Sequence, residues 1–254
     1  MIIRYLTLEP HMKRMIFVIM ATIVSSIIAT AQIPNKPWTE WTDKEVDKLL
    51  RTSPWSVRQI ASLERSPYGV ENSAKFSPPL SLQDMRGLDN FQVQSMLATN
   101  FQIRFLSASV IRQAFARRVE LGLKNGDPRL RSQLEDFVNR KFDEWIVITV
   151  DFDMVQGWNP APIRQIFKEA NINSLNKYTY LETDGGRRIP LADYKPPTED
   201  GLGAKFIFQR MENGKPVIPE GTRRLRFYSE LARFLVVDSR FNLAEMLYKG
   251  QVEY

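Results

Sequence analysis

The sequence lacks cysteine, and its one histidine, His11, precedes a long apolar run near the N-terminus. If that segment is removed on export, the mature chain contains neither a thiol nor an imidazole. A Ser-His-Asp triad or a Cys-His pair then cannot be built, and zinc or copper would be left with carboxylate ligands. We therefore expect no catalytic residue of these types, no metal site and no cofactor.

Residues 1–31 have the organisation of an export signal. Two basic residues precede an apolar run over residues 15–28, and Ala29-Thr30-Ala31 matches an A-x-A cleavage site. The run is shorter than the roughly 20 apolar residues that span a membrane. Cleavage before Gln32 is predicted, with an uncleaved N-terminal anchor as the alternative. We expect a periplasmic or secreted protein that is not an integral membrane protein after cleavage.

Charge sets broad limits on the partner. The formal net charge of the whole chain is +6 at pH 7, and Arg4, Lys13 and Arg14 lie within the predicted signal. The mature chain is therefore mildly basic, which is compatible with an anionic partner but does not require one. Without cysteine no disulfide can stabilise the exported chain, so packing must do so. The start can be Met1 or Met12.

Residues 32–90 are predicted to be a Trp- and Pro-rich N-terminal region with one helix and an irregular connection. Thr42-Asp43-Lys44-Glu45 fits a capping box that opens the helix. The predicted buried side chains of this helix are Val46, Leu49 and Leu50. From Ser56 to Asp84 neither a helical nor a strand period is sustained, which predicts the irregular connection.

Residues 91–254 are predicted to form an α+β domain. Alternating apolar and polar positions over Phe91–Ser107 predict a half-buried strand. The continuous apolar run Trp145–Val150 is typical of a strand covered on both faces. Three amphipathic helices are predicted, beginning near Ser109, Asp127-Pro128 and Asn159-Pro160.

Beyond residue 177 the pattern is almost wholly that of strands. Asp184-Gly185-Gly186 and Asn213-Gly214 are hairpin signals. The predicted strands are Tyr178–Glu182, Arg188–Ala192, Lys205–Gln209, Arg224–Tyr228, Arg233–Val237 and one near Val252. Because strands and helices do not alternate regularly, we expect an α+β fold. The predicted architecture is an antiparallel sheet or immunoglobulin-like β-sandwich with a helical insertion after the first strand.

Asp151 and Asp153 directly follow the predicted strand Trp145–Val150. Side chains alternate along a strand, so both carboxylates point to the same side. Such a pair could perform acid–base work or bind calcium, although no calcium-loop pattern surrounds it. The favoured interpretation is a solvated strand end. The functional alternative is a carboxylate-dependent hydrolase that uses Asp151 or Asp153.

Two short motifs match known chemistry without its context. Ser174-Leu175-Asn176-Lys177 has the S-x-x-K spacing of penicillin-binding enzymes, but no S-D-N or K-T-G follows it. Gly201-Leu202-Gly203 is half of a dinucleotide fingerprint, and a strand pattern follows it instead of a helix. We interpret the first as a chance match and the second as a flexible turn.

Basic residues gather in two groups. On one surface they could bind the phosphates of nucleic acid, lipid headgroups or lipopolysaccharide. Acidic residues interspersed in the first group favour the polar faces of amphipathic helices instead, and no nucleic-acid partner is favoured. The groups are Arg112, Arg117, Arg118, Lys124, Arg129 and Arg131, and Arg187, Arg188, Arg223, Arg224 and Arg226.

Trp38, Trp41 and Trp55 flank the first predicted helix. They could stack on sugar or peptide ligands. The favoured interpretation is that they attach an N-terminal arm to the core, because each such side chain buries roughly 150–250 Å².

Five segments carry a family resemblance: Trp38-Thr39-Glu40-Trp41, Ser53-Pro54-Trp55, residues 106–114, Phe241-Asn242-Leu243 and Met246-Leu247-Tyr248-Lys249-Gly250. Together they resemble an uncharacterised family of secreted proteins from soil bacteria, of the acidobacterial type. The resemblance implies export and a shared fold. It implies no activity, and no functional residue can be carried over from it.

Export and the missing chemistry together predict a non-enzymatic binding or structural module of the cell envelope. Its expected partner is an unidentified envelope macromolecule. Two alternatives stay open: the carboxylate-dependent hydrolase and a polyanion-binding protein, whose affinity would fall steeply with added salt.

Overall fold

We analyse a computed structural model that describes residues 33–60, 99–123, 128–157, 159–232 and 235–254. The predicted signal, His11 and residues 61–84 of the predicted connection lie outside these ranges, as do Lys124, Asp127 and Arg233. Within them, Ile33–Tyr254 forms one compact unit. Residues on both sides of the predicted boundary at residue 90 therefore contribute to the same unit.

The described residues form five α-helices, eight strands of one main sheet and two short hairpins. The helices are α1 (Asp43–Thr52), α2 (Ser109–Gly122), α3 (Pro128–Asn139), α4 (Ala161–Glu169) and α5 (Ile172–Leu175). The sheet contains β1 (Ser56–Ile60), β2 (Thr99–Phe105), β3 (Trp145–Met154), β4 (Thr179–Thr183), β5 (Arg188–Lys195), β6 (Ala204–Gln209), β9 (Arg224–Ala232) and β10 (Leu235–Asn242). The hairpins pair β7 (Met211–Glu212) with β8 (Lys215–Pro216) and β11 (Leu247–Tyr248) with β12 (Gln251–Val252).

The strands of the main sheet follow the order β1-β2-β3-β6-β5-β4-β9-β10, and every neighbouring pair is antiparallel. This confirms the predicted α+β class with an antiparallel sheet. The sandwich alternative is not confirmed, because continuous ladders join all eight strands into a single, nearly closed sheet.

A side chain bridges the two ends of this sheet. Gln59 of β1 donates from Nε2 to the Val236 carbonyl (3.0 Å) and accepts at Oε1 from the Asp238 amide (2.8 Å). The side-chain amide of Gln59 thus bonds to the Val236 carbonyl and the Asp238 N–H, as the N–H and C=O of one residue in a parallel strand would. The bridge satisfies backbone groups of β10 that would otherwise face the gap.

The interior of the nearly closed sheet is filled with aromatic rings. Phe227 of β9 packs edge-to-face against Phe206 and Phe208 of β6, with ring centroids 5.2 and 6.2 Å apart. Phe105 and Phe241 make a similar contact at 4.7 Å. All five rings are buried, so the interior is a packed core.

Helix α4 closes the end of the sheet at which β3 terminates. Its Phe167 ring stacks on Phe152 of β3 and meets Phe101 of β2 edge-on. The Phe167 carbonyl accepts a 2.6 Å hydrogen bond from the hydroxyl of Tyr194 on β5. These contacts hold α4 against three strands, with its Ile163 side also buried.

Helix α2 packs against both α1 and α3, and α1 packs beside β1. The predicted inward side chains of α1, Val46, Leu49 and Leu50, are all buried, and the helix predicted to begin near Ser109 is α2. The prediction of an irregular connection from Ser56 is wrong at its start, because Ser56–Ile60 is strand β1. For the same reason the helical insertion of α2 and α3 follows the second strand.

The predicted capping box of α1 is present. The Glu45 amide donates to Thr42 Oγ1, and the Glu45 carboxylate accepts from the Thr42 amide at 2.7 Å. The same carboxylate lies 2.9 Å from Lys36 Nζ. The bond with Lys36, followed by those with Thr42, lowers the pKa of Glu45 from 4.5 to about 2.

This lowered pKa predicts a pH-dependent contribution of Glu45 to stability. The contribution is fully present above pH 4.5 and is lost as the pH falls through about 2, because the folded state holds the ionised carboxylate more firmly than the unfolded state does. Urea unfolding should show Glu45→Ala less stable than the wild type above pH 4.5, with a gap that narrows toward pH 2. Lys44→Ala is the surface control, and a gap independent of pH would contradict the prediction.

In the described part of the chain, no helix combines the length and the apolar composition needed to cross a membrane.

Candidate functional site

A polar cleft of about 460 Å³ lies where β3 ends, between α4 and the loop that precedes β6. Asp151 and Asp153 both line it, so the predicted pair occupies a concave surface. The facing walls come from α4 and from residues 197–203. The other lining residues are Phe152, Met154, Val155, Gln156, Gly157, Pro160, Arg164, Lys168, Pro197, Thr198, Glu199, Gly201 and Gly203.

Asp151 lies between the cleft and a buried arginine. Its Oδ2 is 3.8 Å from Nη1 of Arg104, which is too long for a hydrogen bond. The Arg104 side chain is only 8% exposed, whereas that of Asp151 is 44% exposed. Arg104 Nε donates to the Leu50 carbonyl at 2.8 Å, and its guanidinium lies over the ring of Phe115. Arg104 is therefore fixed behind Asp151 by two helices.

Two buried polar atoms, one of Arg104 and one of its neighbour Thr149, form no hydrogen bond within the described residues. Thr149 is the ladder partner of Arg104 and is fully buried. Among the described residues, neither Thr149 Oγ1 nor Arg104 Nη1 has a hydrogen-bond partner. Burial lowers the pKa of Arg104 to about 10, against the opposing effect of Asp151. Arg104 is thus a costly buried charge, and Asp151 is its ion-pair partner.

Asp151 is the one described acid whose pKa is shifted upward. Loss of hydration at the strand end is the largest cause, and the charge of Asp153 adds to it. Arg104 and the Phe152 amide, which donates to Asp151 Oδ1 at 2.9 Å, act in the opposite direction. A carboxyl group with a raised pKa in a cleft is suited to hold or transfer a proton.

Asp153 is held differently. Its Oδ1 accepts from Arg58 Nη2 of β1 at 3.3 Å, and both side chains are about half exposed. The two aspartates therefore lie on one face of β3 but have different partners. Asp151 pairs with the buried Arg104, whereas Asp153 pairs with Arg58 at the surface.

Three further charged residues line the cleft, and the sequence analysis did not single them out. Arg164 and Lys168 are one turn apart on α4, and Glu199 lies on the facing loop. Within the described ranges none of the three has an ion-pair partner. The spacing of Arg164 and Lys168 on the polar side of an amphipathic helix was visible in the sequence, but the loop that faces them was not.

The Gly201-Leu202-Gly203 turn forms one wall of the cleft. Both glycines have positive φ, +70° and +82°, and strand β6 follows them. The motif is therefore a turn that leads into a strand, and not the start of a dinucleotide-binding helix. A Cβ on Gly203 would lie 2.5 Å from the Val150 carbonyl oxygen, so this position also needs glycine for close approach to β3.

The S-x-x-K match has a structural role. Ser174 lies in α5, where its hydroxyl donates to the Asn171 carbonyl at 2.9 Å and accepts from the Asn171 amide at 3.1 Å. Asn171 caps the same helix. Lys177 Nζ lies over the ring of Tyr178. Ser174 thus completes a helix cap.

The first basic group is largely engaged within the protein. Arg112 is buried, and its guanidinium donates to the carbonyls of Leu106, Ser107 and Val138, so it lies neither on the solvated helix face that was favoured nor on the anion-binding surface that was the alternative. The remaining contacts are ion pairs of Arg117 and Arg131 with Glu120 and of Arg118 with Asp47.

The tryptophans attach the N-terminal arm, as the favoured interpretation predicts. Trp41 and Trp55 are each 1% exposed, and Trp38 packs against the core. Trp55 Nε1 donates to the Glu253 carbonyl at 2.7 Å, and Trp41 Nε1 donates to the Lys36 carbonyl. A stacking role on a ligand is therefore not available to Trp41 or Trp55.

The described side chains contain no group of three or more acidic, histidine or cysteine ligands that could hold a metal ion. The chemistry available to the cleft depends on five charged residues that line it. They are Asp151, whose pKa is raised, the acids Asp153 and Glu199, and the cations Arg164 and Lys168.

Comparison with family models, curated proteins and solved structures finds no match, so the resemblance to secreted soil-bacterial proteins stays a prediction and the function is argued from the cleft itself.

Proposed function

We propose that this protein is an exported, non-enzymatic binding module of the cell envelope, and that the cleft at the end of β3 binds a polar group of an envelope macromolecule. The observation that carries the proposal is the lining of the cleft. Arg164, Lys168 and Glu199 face it without ion-pair partners in the described residues, while Asp151 and Asp153 are held in place by arginines.

The chemistry of this lining favours a polar ligand. Cationic side chains donate hydrogen bonds, and carboxylates accept them from hydroxyl or amine groups. The cleft offers both kinds of group, with the cations on α4 and Glu199 on the facing loop, and Gly201 of that loop is exposed. A segment rich in hydroxyl and charged groups, such as an envelope glycan, can form hydrogen bonds with the cations of one wall and the carboxylate of the other at the same time.

The walls of the cleft are rigidly supported, which lowers the cost of ordering on binding. Helix α4 is fixed by the Phe167 contacts with β2 and β3. The facing loop is held by Asp200, which accepts from the Leu202 amide and pairs with Lys205 Nζ at 2.7 Å. We therefore expect the cleft to keep its shape without a ligand.

Co-sedimentation with insoluble cell-wall polymer from a bacterial envelope tests the proposal. Replacing both Arg164 and Lys168 with glutamine should weaken binding about tenfold or more, since a hydrogen bond to a charged group contributes roughly 1.5–3 kcal/mol. Both side chains point away from the core, so the fold should persist. Lys44→Gln on the exposed side of α1 is the matched control.

The outcomes separate binding from its alternatives. Loss of sedimentation in the double variant but not in Lys44→Gln supports the cleft. Equal loss in both, or no sedimentation of the wild type with wall polymer or envelope membranes, overturns the proposal.

The raised pKa of Asp151 favours a second candidate, the carboxylate-dependent hydrolase. Glycoside cleavage needs one protonated and one ionised carboxyl group. Asp151 would supply the proton, and Glu199 on the opposite wall or Asp153 would act as the carboxylate that activates water. Release of soluble fragments in the same assay, abolished by Asp151→Asn and declining as the pH rises through the raised pKa, would replace the binding proposal with this one.

A further inference from the structure

A second concave site of about 280 Å³ lies at the opposite end of the sheet, beside the β4–β5 turn. Strand β5 runs from this turn toward the cleft, so the sheet separates the two sites. Three arginines from β9 and β10 line it, and its other lining residues are Glu182, Thr183, Asp184, Gly186 and Leu225.

Strand register places these arginines together. Arg226 of β9 lies directly opposite Arg240 of β10, and Arg224 is two residues before Arg226 on the same face. Cβ atoms of such opposed residues are about 5 Å apart, and like charges there are destabilising. An arrangement that brings three guanidinium groups together therefore needs compensating negative charge.

Among the described residues, carboxylates form ion pairs with only one of the three arginines. Arg226 forms a two-pronged pair with Asp238, at 2.7 Å for both Nε and Nη2, and lies 3.6 Å from Glu182. In the part of the chain that the structure describes, Arg224 and Arg240 have no ion pair or side-chain hydrogen bond.

The acids in the lining are already engaged. Glu182 also pairs with Arg188 at 3.3 Å. Asp184 Oδ2 accepts from the Arg223 amide at 3.2 Å and keeps its negative charge, but among the described residues it forms no ion pair with a lining arginine. Arg224 and Arg240 therefore lie on one small concave surface without an ion-pair partner among the described residues.

We propose that this arginine pocket binds a compact tetrahedral oxyanion, the phosphate or sulfate monoester group of a small ligand, between Arg224 and Arg240. Each guanidinium presents several N–H donors in a planar fork. Phosphate and sulfate groups offer three terminal oxygens, enough to accept from both forks, whereas a carboxylate has two. Arg226, which is held by its two hydrogen bonds to Asp238, is the third arginine that lines the pocket.

The size of the site favours a single group over a polymer. Its lining residues come from the β4–β5 turn and from the adjoining ends of β9 and β10. The first basic group could have extended a positive track, but Arg112, Arg117, Arg118 and Arg131 are engaged with backbone carbonyls, Glu120 and Asp47. The site is independent of the cleft, and its test is independent of the proposed function.

Calorimetric titration of the full chain with inorganic phosphate tests the pocket. Arg224→Gln and Arg240→Gln should each weaken binding about tenfold, the effect of losing one charge-assisted hydrogen bond. Arg223→Gln removes the same charge one residue away, from a side chain that does not line the pocket, and should leave the affinity unchanged. Thermal unfolding of each variant confirms that it folds.

Two results would overturn the proposal. One is the absence of saturable phosphate binding to the wild type. The other is equal weakening by Arg223→Gln and Arg240→Gln, which would mean attraction to general positive charge. A short oligonucleotide that binds more tightly than phosphate, with equal losses in all three variants, would assign the arginines to polyanion binding instead.

Discussion

Replacing Phe227 with alanine is expected to lower the free energy of unfolding by about 3–5 kcal/mol, the cost typical of removing a buried phenyl ring. Phe227 of β9 is fully buried inside the sheet, where its ring contacts those of Phe206 and Phe208 on β6 across the interior. The substitution removes both edge-to-face contacts and leaves a cavity. Rings fixed by strands on every side cannot easily collapse into it.

Chemical denaturation with urea measures this loss directly. Phe227→Leu should cost less, because it retains aliphatic contact with Phe206. Val252, which is 48% exposed, gives a surface control whose replacement by alanine should change stability by no more than about 0.5 kcal/mol. A loss for Phe227→Ala as small as that of the control would show that the interior is not the packed core that stabilises the sheet.

Local signals in the sequence predicted many of the elements. The capping box at Thr42 and Glu45 specifies the start of α1 through contacts within one turn. The Asp184-Gly185-Gly186 signal likewise lies between β4 and β5, which pair as a hairpin. In each case the physical cause lies within a few residues of its effect, so a pattern can reveal it.

Strand β1 shows what such patterns miss. Ser56–Ile60 is short and mostly polar, and its extended form depends on pairing with β2, whose partner residues lie 40 to 48 positions away in the sequence. Gln59 then bonds to β10, at the other end of the sheet. Nothing near Gln59 in the sequence indicates that its amide bridges the two ends of the sheet, so the single, nearly closed sheet could not be distinguished from a sandwich.

The candidate site also has one part that the sequence predicted and another that depends on tertiary packing. Asp151 and Asp153 were identifiable because strand alternation places them on one side of β3. Their different environments come from Arg104 and Arg58 on other strands. The cleft also needs α4 and the loop before β6 to face each other, and that depends on how Phe167 packs among three strands. Concavity is thus a property of tertiary packing.

Replacing Gly203 with alanine is expected to destabilise the protein by roughly 2–5 kcal/mol, from two independent causes. The backbone at Gly203 has φ +82°, a conformation that costs an L-residue about 1–2 kcal/mol. The added Cβ would also lie 2.5 Å from the Val150 oxygen and 2.9 Å from Cα of Asp151. These neighbours are backbone atoms of β3, which cannot move aside as a flexible side chain would.

Gly201→Ala separates the two causes. Gly201 lies in the same turn with φ +70°, and a Cβ there meets nothing within 4 Å. It should therefore show only the conformational cost of about 1–2 kcal/mol in urea unfolding. The excess for Gly203→Ala measures the close approach of the turn to β3, which sets the width of the cleft beside Asp151. Equal losses for the two variants would mean that the turn can move away from β3, and the rigid wall assigned to the cleft would then be wrong.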